Sequence, residues 1–227
     1  MVSSQAEQAF PGITDFLDQF QRTHSSGVLE SKAAEVKAPL DLFSLVVGNE
    51  RGVEFYQVNH AGIDGGQTAQ WLVPSGDIAG YVDHFLAVRG KHQGPLVWAA
   101  PILDEYQVVY ARTKGADSVL LNSRDLDLSK LQYCLEMARE YDMEPFVVVQ
   151  SEELLTMALQ SDAKFLVFPV CVNKRQIWQK VKIDAPERLV FDLEFGGSEQ
   201  RVPVGLIESQ GTFVGMELEP RVKSWLV

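Results

Sequence analysis

Glu35 and Lys37 are the residues whose types and spacing most readily suggest chemistry, a carboxylate and an ammonium two positions apart. Residues Ala33–Lys37 read as a strand ended by Pro39, which disfavours helical geometry at Ala38. On a strand, positions i and i+2 project from the same face. The pair therefore offers either a ligand site or an internal ion pair closing the mouth of a barrel. Gly196, Gly197 and Ser198 offer a weaker second candidate, a phosphate nest of the kind found near the last strands of many barrels. No helix start follows them to aim its N–H groups, so a plain glycine-rich turn is the competing reading.

The remaining candidates carry less. Asp125, Asp127 and Glu136 mimic the ends of a calcium loop, but Lys130 stands where such a loop needs glycine. Leu128, Leu131 and Leu135 already define a helix face there. His24, His60, His84 and His92 are scattered without metal-ligand spacing. The run Gly62–Gly66 lacks the lysine of a phosphate-binding loop and precedes a strand. Cys134 and Cys171 form no disulfide framework or CxxC pair and read as small hydrophobes of a reducing compartment. No metal and no cofactor is expected from these residues.

The elements that must position any site are clearest between Ile102 and Phe168. Short apolar runs (Ser118–Leu121, Pro145–Val149, Phe165–Phe168) alternate with helix-period runs (Tyr106/Val109/Tyr110, Leu128/Leu131/Leu135/Ala138, Leu154/Leu155/Ala158/Leu159). Runs apolar on both faces fit parallel strands covered on both sides, and the alternation is that of consecutive βα units. Upstream, a helix through Ile13, Phe16, Leu17 and Phe20 precedes Ala33–Lys37. Strands follow at Ala69–Val73 and Leu96–Ala99, flanking a helix through Ile78, Tyr81, Val82, Phe85 and Leu86. Asp104 with Gln107 predicts a capping box. After Pro169 the rhythm fails: Arg175–Val181 suggests one short helix. Leu189–Phe195, Val202–Ile207 and Thr212–Leu218 are strand-like, with no helix of ~10 residues fitting between them. If these runs do not close a barrel, their unpaired edges invite a partner.

With 227 residues, 46% of them apolar, the chain can bury one large core. Residues 1–227 read as one βα domain, with 1–30 an N-terminal extension and helix and 170–227 a diverged C-terminal part. A doubly wound sheet and a slightly short (β/α)8 barrel both fit. The net charge of −11 argues against nucleic-acid and anionic-membrane partners, because the mean field repels phosphate. No run approaches the ~20 apolar residues of a spanning helix. The N-terminus has no hydrophobic signal core. A cytoplasmic protein is expected, or an organelle matrix or stroma protein from which a transit peptide has been removed.

Glu30–Phe168 resembles indole-3-glycerol-phosphate synthase, a (β/α)8-barrel carboxy-lyase of tryptophan biosynthesis. The likeness is carried by Ala34-Glu35-Val36-Lys37, Pro95-Leu96-Val97 with Ile102–Gln107, Ala111–Leu121 and Ala138–Pro145. The resemblance implies a TIM barrel with catalytic lysines and carboxylates at the C-terminal ends of several strands. It assigns Glu35 and Lys37 to the first strand, facing substrate. Beyond them the family pattern departs. Ala38-Pro39-Leu40-Asp41 stands where a phosphate-binding Ser-Pro-Ser belongs, and Ala99-Ala100-Pro101 where Lys-Asp-Phe supplies the main general acid. Val148 replaces the strand-five glutamate and Pro169 the strand-six asparagine. Glu194-Phe195-Gly196 takes the place of Glu-Ser-Gly. Trp98, just before the missing lysine, is expected to fill the emptied pocket.

Losing one general acid or base forfeits roughly 10²–10⁴ in rate, and groups that act as a unit fail together. The expectation is a TIM-type barrel with an atypical, helix-poor C-terminal third, catalytically degenerate and acting as a structural or interaction subunit. Its partner would be a protein or larger assembly, with a phosphorylated small molecule as the ligand class left open. The alternatives are an active lyase using unaligned groups such as Asp104, Glu105 or Arg124, and a sensor of a phosphorylated metabolite.

Overall fold

Strands that are apolar on both faces can bury them by lying parallel and side by side with helices outside and side chains filling the centre. The computed structural model describes residues 5–48, 53–58, 69–74, 78–169, 174–195, 211–215, 218 and 220–227. Its strands close into a barrel of eight parallel members in chain order. They are β1 (Val53–Gln57), β2 (Ala69–Leu72), β3 (Leu96–Trp98), β4 (Ser118–Asn122), β5 (Phe146–Val148), β6 (Phe165–Pro169), β7 (Leu189–Phe195) and β8 (Gly211–Gly215). β8 pairs with both β7 and β1, so the closed sheet leaves none of these strands as an unpaired edge.

The helices are α1 (Gln5–Ala9), α2 (Ile13–Thr23), α3 (Ser26–Glu35), α4 (Leu42–Val47), α5 (Ile78–Arg89), α6 (Glu105–Thr113), α7 (Leu128–Glu140), α8 (Glu152–Gln160), α9 (Lys174–Asp184) and α10 (Pro220–Leu226). The predicted capping box forms at the start of α6, Asp104 accepting from the Gln107 N–H while the Gln107 side chain accepts from the Asp104 N–H. The C-terminal third holds more helix than the sequence suggested. The short helix expected at Arg175–Val181 forms and runs longer, 11 residues as α9, and α10 follows the last strand. Val202–Ile207, Gly62–Gly66 and Cys171 lie outside the described residues.

Register fixes which side chains enter the barrel. Phe55 pairs with Ala69 and Phe213, Gln57 with Trp71, and Phe146 with both Leu120 and Phe165. Val167 sits opposite Phe191. With a period of two, these positions share the inner face. Phe55, Trp71, Phe146, Phe165, Phe191 and Phe213 are all fully buried. Their rings meet edge to face or stacked, Phe55 with Phe213 at 4.6 Å and Phe146 with Phe213 at 4.9 Å. The lumen is thus a packed aromatic core and no pore.

Two expectations are corrected. Ala33–Lys37 is not the first strand; it is the end of α3 followed by an extended segment. The run from Leu29 through Lys32, Ala33, Ala34 and Glu35 is rich in strong helix formers. Leu29 and Ala33, four apart, pack with Phe20 of α2 and Val109 of α6, which holds the segment helical. The first strand is instead Val53–Gln57, where Val53 and Phe55 are buried and Glu54 and Tyr56 exposed. Trp98, in turn, does not fill the barrel. Its partners are Tyr81 at 4.6 Å and Phe85 at 4.9 Å on α5 and Tyr110 at 6.0 Å on α6, all on the outer face.

Residues 5–47 wrap the barrel from end to end. α1 sits at the mouth, where the Ala6 N–H donates to Asp125 just past β4. α2 and α3 descend along α6, with Phe20 4.3 Å from Tyr110. Residues 36–40 then pass beneath the barrel. α4 lies across the floor with Leu42 and Val46 buried and the Phe43 ring parallel to Phe165 at 6.2 Å.

Candidate functional site

In a parallel barrel, side chains from several strands converge only at the C-terminal ends, so the mouth is where chemistry is expected. The inner positions there are Ala99 just past β3, Asn122 at the end of β4, Val148 of β5 with Gln150 beyond it, and Pro169 of β6. Ala99 is fully buried, its N–H donating to the Leu72 carbonyl at 3.0 Å and to the Tyr81 hydroxyl at 3.2 Å. Val148 is likewise fully buried. Neither alanine, valine nor proline carries a proton that could be exchanged with a substrate. Glu194 alternates with the inward Leu193, so the register turns it to the outer face.

Among the described residues Gln57 ends β1 on the inner face, and three further polar groups at this end, Asn122, Ser123 and Gln150, escaped the sequence reading. The signal was present, since Asn122 and Gln150 each close an apolar strand run with an amide. Their bonds stay within the chain. Gln150 Nε2 donates to Asn122 Oδ1 at 2.8 Å, and Asn122 Nδ2 donates to the Trp225 carbonyl at 2.6 Å. Gln150 Nε2 also lies 3.5 Å from the Leu226 carbonyl, and the Ser123 hydroxyl donates to the Val148 carbonyl at 2.6 Å. Trp225 and Leu226 end α10, where carbonyls lack intrahelical partners, and the amides supply them.

Asp125 fastens both chain ends at the mouth. One oxygen accepts from the Ala6 N–H at 3.0 Å, the other from the Trp225 indole at 2.5 Å. Burial raises this carboxyl above its ordinary value, and the two donors pull it partly back. Phe10 meets Trp225 edge to face at 5.4 Å and completes the cover. Arg124 donates to Gln5 at 3.2 Å and Asp104 accepts from Gln21 at 2.9 Å, while Glu105 opens α6. These three groups are therefore not gathered around one open pocket.

Glu35 and Lys37 lie at the opposite end. Glu35 is the last residue of α3, and both side chains are exposed. Lys37 lines a cavity with Arg89, which ends the helix before β3, and Asp117, which precedes β4. That is the floor, where the strands begin. The pair is not brought together as an ion pair and does not reach the mouth. Gly196, Gly197 and Ser198 lie outside the described residues. Among the described residues no group of three His, Cys, Asp or Glu side chains is arranged to hold a metal. Asp127 instead caps α7, accepting from the Lys130 N–H at 2.9 Å. Among those residues, too, no helix is long and apolar enough to cross a membrane.

Fold and site geometry together define a (β/α)8 barrel at whose C-terminal strand ends α1 and α10 are held by Asp125, Asn122 and Gln150. The match to known proteins is more specific. The family model described as indole-3-glycerol phosphate synthase matches residues 76–194, and the chain belongs to that family. Indole-3-glycerol phosphate synthase of Crocosphaera subtropica is 30% identical over 162 residues, covering 71% of this chain and 53% of that protein. The Aliarcobacter butzleri enzyme of the same name is 32% identical over 87 residues, 38% of this chain and 33% of its own. That of Chromobacterium violaceum is 41% identical over 76 residues, 34% and 27%. The matches thus span between about a quarter and about half of these relatives' lengths. A solved structure of a candidate phosphonomutase from Burkholderia cenocepacia J2315 superposes with a TM-score of 0.54 at 14% identity, covering 82% of this chain and 92% of that one. This likeness supports the barrel fold alone. Glu35 and Lys37 fall outside the span the family model matches.

Proposed function

We propose that this chain is a non-catalytic member of the indole-3-glycerol phosphate synthase family that acts as a structural or interaction subunit. The observation that carries the reading is the mouth. Ala99, Val148 and Pro169 occupy strand ends where an acid, a carboxylate and an amide belong, and the polar groups beside them bind α1 and α10. Ring closure with loss of carbon dioxide and water needs a positioned acid and base within hydrogen-bond reach of the substrate. The described mouth residues offer neither in an accessible position.

A fluorescence assay for indole-3-glycerol phosphate formation from the anilino ribulose phosphate of the parent reaction tests this directly. No turnover above the buffer rate is expected, with or without Glu35→Gln. Turnover that Glu35→Gln abolishes would return that carboxylate to catalysis and end the proposal. For the subunit part, native protein is expected to migrate in a stoichiometric complex during size exclusion; a free monomer whose melting temperature rises with substrate would make it a sensor instead.

A further inference from the structure

We propose that the barrel floor carries a binding site for a small oxyanion, a phosphate or a carboxylate group, in the cavity beside Lys37. The cavity has a volume of about 230 Å³ and is lined by Lys37, Arg89, His92, Gln93 and Asp117, with Val36 and Ala38 beside them. It is a cationic recess on a chain whose net charge is −11.

The charge balance of the recess is set by how its one carboxylate is used. Asp117 accepts from the Leu40 N–H at 2.9 Å through one oxygen. Through the other it accepts from the Leu96 N–H at 2.9 Å and from Arg89 Nη1 at 2.7 Å. It neutralises Arg89 and has both oxygens engaged inside the protein. Arg89 also donates to the Gly94 carbonyl at 2.9 Å, which fixes the guanidinium against the wall.

Behind the same wall lies Arg112, only 3% exposed. Its guanidinium donates to the carbonyls of Ala116 and Val36, each at 3.3 Å, and to that of Lys37. Every one of these hydrogen-bond partners is neutral, and Arg112 meets the carboxylates of Asp117 and Asp142 only through space. Taking a charge out of water is unfavourable, and an anion in the adjoining cavity would offset part of that cost. The next carboxylate, Asp142, lines a neighbouring cavity.

Lys37 supplies the remaining element. Its ammonium makes no hydrogen bond or ion pair with the described residues, leaving three donors available. Its backbone is held, because Arg112 grips the carbonyls of residues 36 and 37 and Asp117 the N–H of Leu40. Among the described residues Lys37 is thus an unbonded cation on a fixed stem, at the rim of a recess behind which Arg112 has no carboxylate in direct contact. Charge-assisted hydrogen bonds to phosphate or carboxylate are the strong use of such a group. A recess of this size admits one such group and not a polyanion, which the overall negative charge would also repel. The site stands independently of the mouth and of whether the chain turns over any substrate.

Isothermal titration of the full chain with sodium phosphate, and separately with sodium acetate, at constant ionic strength set with sodium chloride, tests it. Saturable binding of at least one is expected; phosphate alone assigns the site to phosphoryl groups, and acetate to carboxylates. Lys37→Met should weaken the association by about tenfold or more, the loss of one hydrogen bond to a charged group, and Lys37→Arg should keep most of it. Lys37 is exposed, so both variants should melt at the wild-type temperature without anion. Absence of saturation by either salt, or binding that Lys37→Met leaves unchanged, would overturn the site. Neither result bears on the turnover assay.

Discussion

The two ends of the barrel use their polar groups for the same task and leave different residues behind. At the mouth, Asn122, Gln150 and Asp125 hold α1 and α10. At the floor, Asp117 and Arg112 hold residues 36–40. Each is a network in which one or two buried side chains organise a segment distant in sequence. The mouth network is mostly neutral amides meeting carbonyls, and its bonding is closed. The floor network is built from full charges, and among the described residues it ends with Arg112 hydrogen-bonded only to carbonyls and the Lys37 ammonium unbonded at the rim. In a fold whose reactivity customarily sits at the mouth, the charge free to act on something else lies at the floor. Tethering the termini over the strand ends and presenting a site there are competing uses of the same few positions.

The comparison is broken most forcefully by removing one organiser from each end. Asp117→Ala strands Arg89 and two backbone N–H groups and is expected to cost about 3–5 kcal/mol. Trp225→Ala removes a buried indole from the mouth cover and is expected to cost a similar amount, about 3–5 kcal/mol. Urea denaturation of both variants measures this; a Trp225→Ala loss near zero would mean that the mouth cover contributes nothing to the fold. A smaller effect is expected from Asn122→Ala, about 1–3 kcal/mol, because it leaves the Trp225 carbonyl short of a donor. Hydrogen exchange should quicken at residues 222–227 in that variant and stay unchanged at Leu40 and Leu96. Acceleration at both ends would show that the networks are coupled.

Smaller still is a pH effect confined to the mouth. Burial raises the Asp125 carboxyl in the folded chain above its ordinary 3.8, so between those values the folded state holds a proton that the unfolded chain has lost. Stability contributed by this group is therefore complete below the unfolded value and declines as pH rises through the folded one. Wild type should lose ground against Asp125→Asn across that window, read from denaturation midpoints; a gap that is flat with pH would count against the assignment. The smallest expected signal is silence at Cys134. Its thiol, buried on α7 beneath α6, is pushed up by burial first and by Asp104 and Glu105 next. Iodoacetamide should modify it only at the rate of unfolding, and rapid alkylation of the native protein would show a looser α6–α7 interface.

Much of the barrel was legible because its evidence was local. β4 to β7 announced themselves as short apolar runs, and α6 and α7 as helix-period faces, α6 with its Asp104 cap. The first strand was harder. Ala33–Lys37 stands in a family-like order just ahead of Pro39, yet Leu29 and Ala33 commit the segment to helix through Phe20 and Val109. Val53–Gln57 carries its own alternation of apolar and polar positions, with Val53 and Phe55 buried and Glu54 and Tyr56 exposed. Once that strand moved, Glu35 and Lys37 moved with it, from one end of the molecule to the other. Asn122 and Gln150 were missed because an amide closing a strand is unremarkable until its partner is known.

The sequence by itself determined that βα units repeat and that no lysine, glutamate or asparagine stands at positions 99, 148 and 169. Periodicity and identity are properties of neighbouring residues, and folding cannot change them. Tertiary structure alone decided that Trp98 faces the helices, that Lys37 lies under the floor, and that Asn122 reaches the Trp225 carbonyl 103 residues away. The face a strand turns inward is set by register with strands far along the chain, and a hydrogen bond at that separation leaves no local mark in either segment.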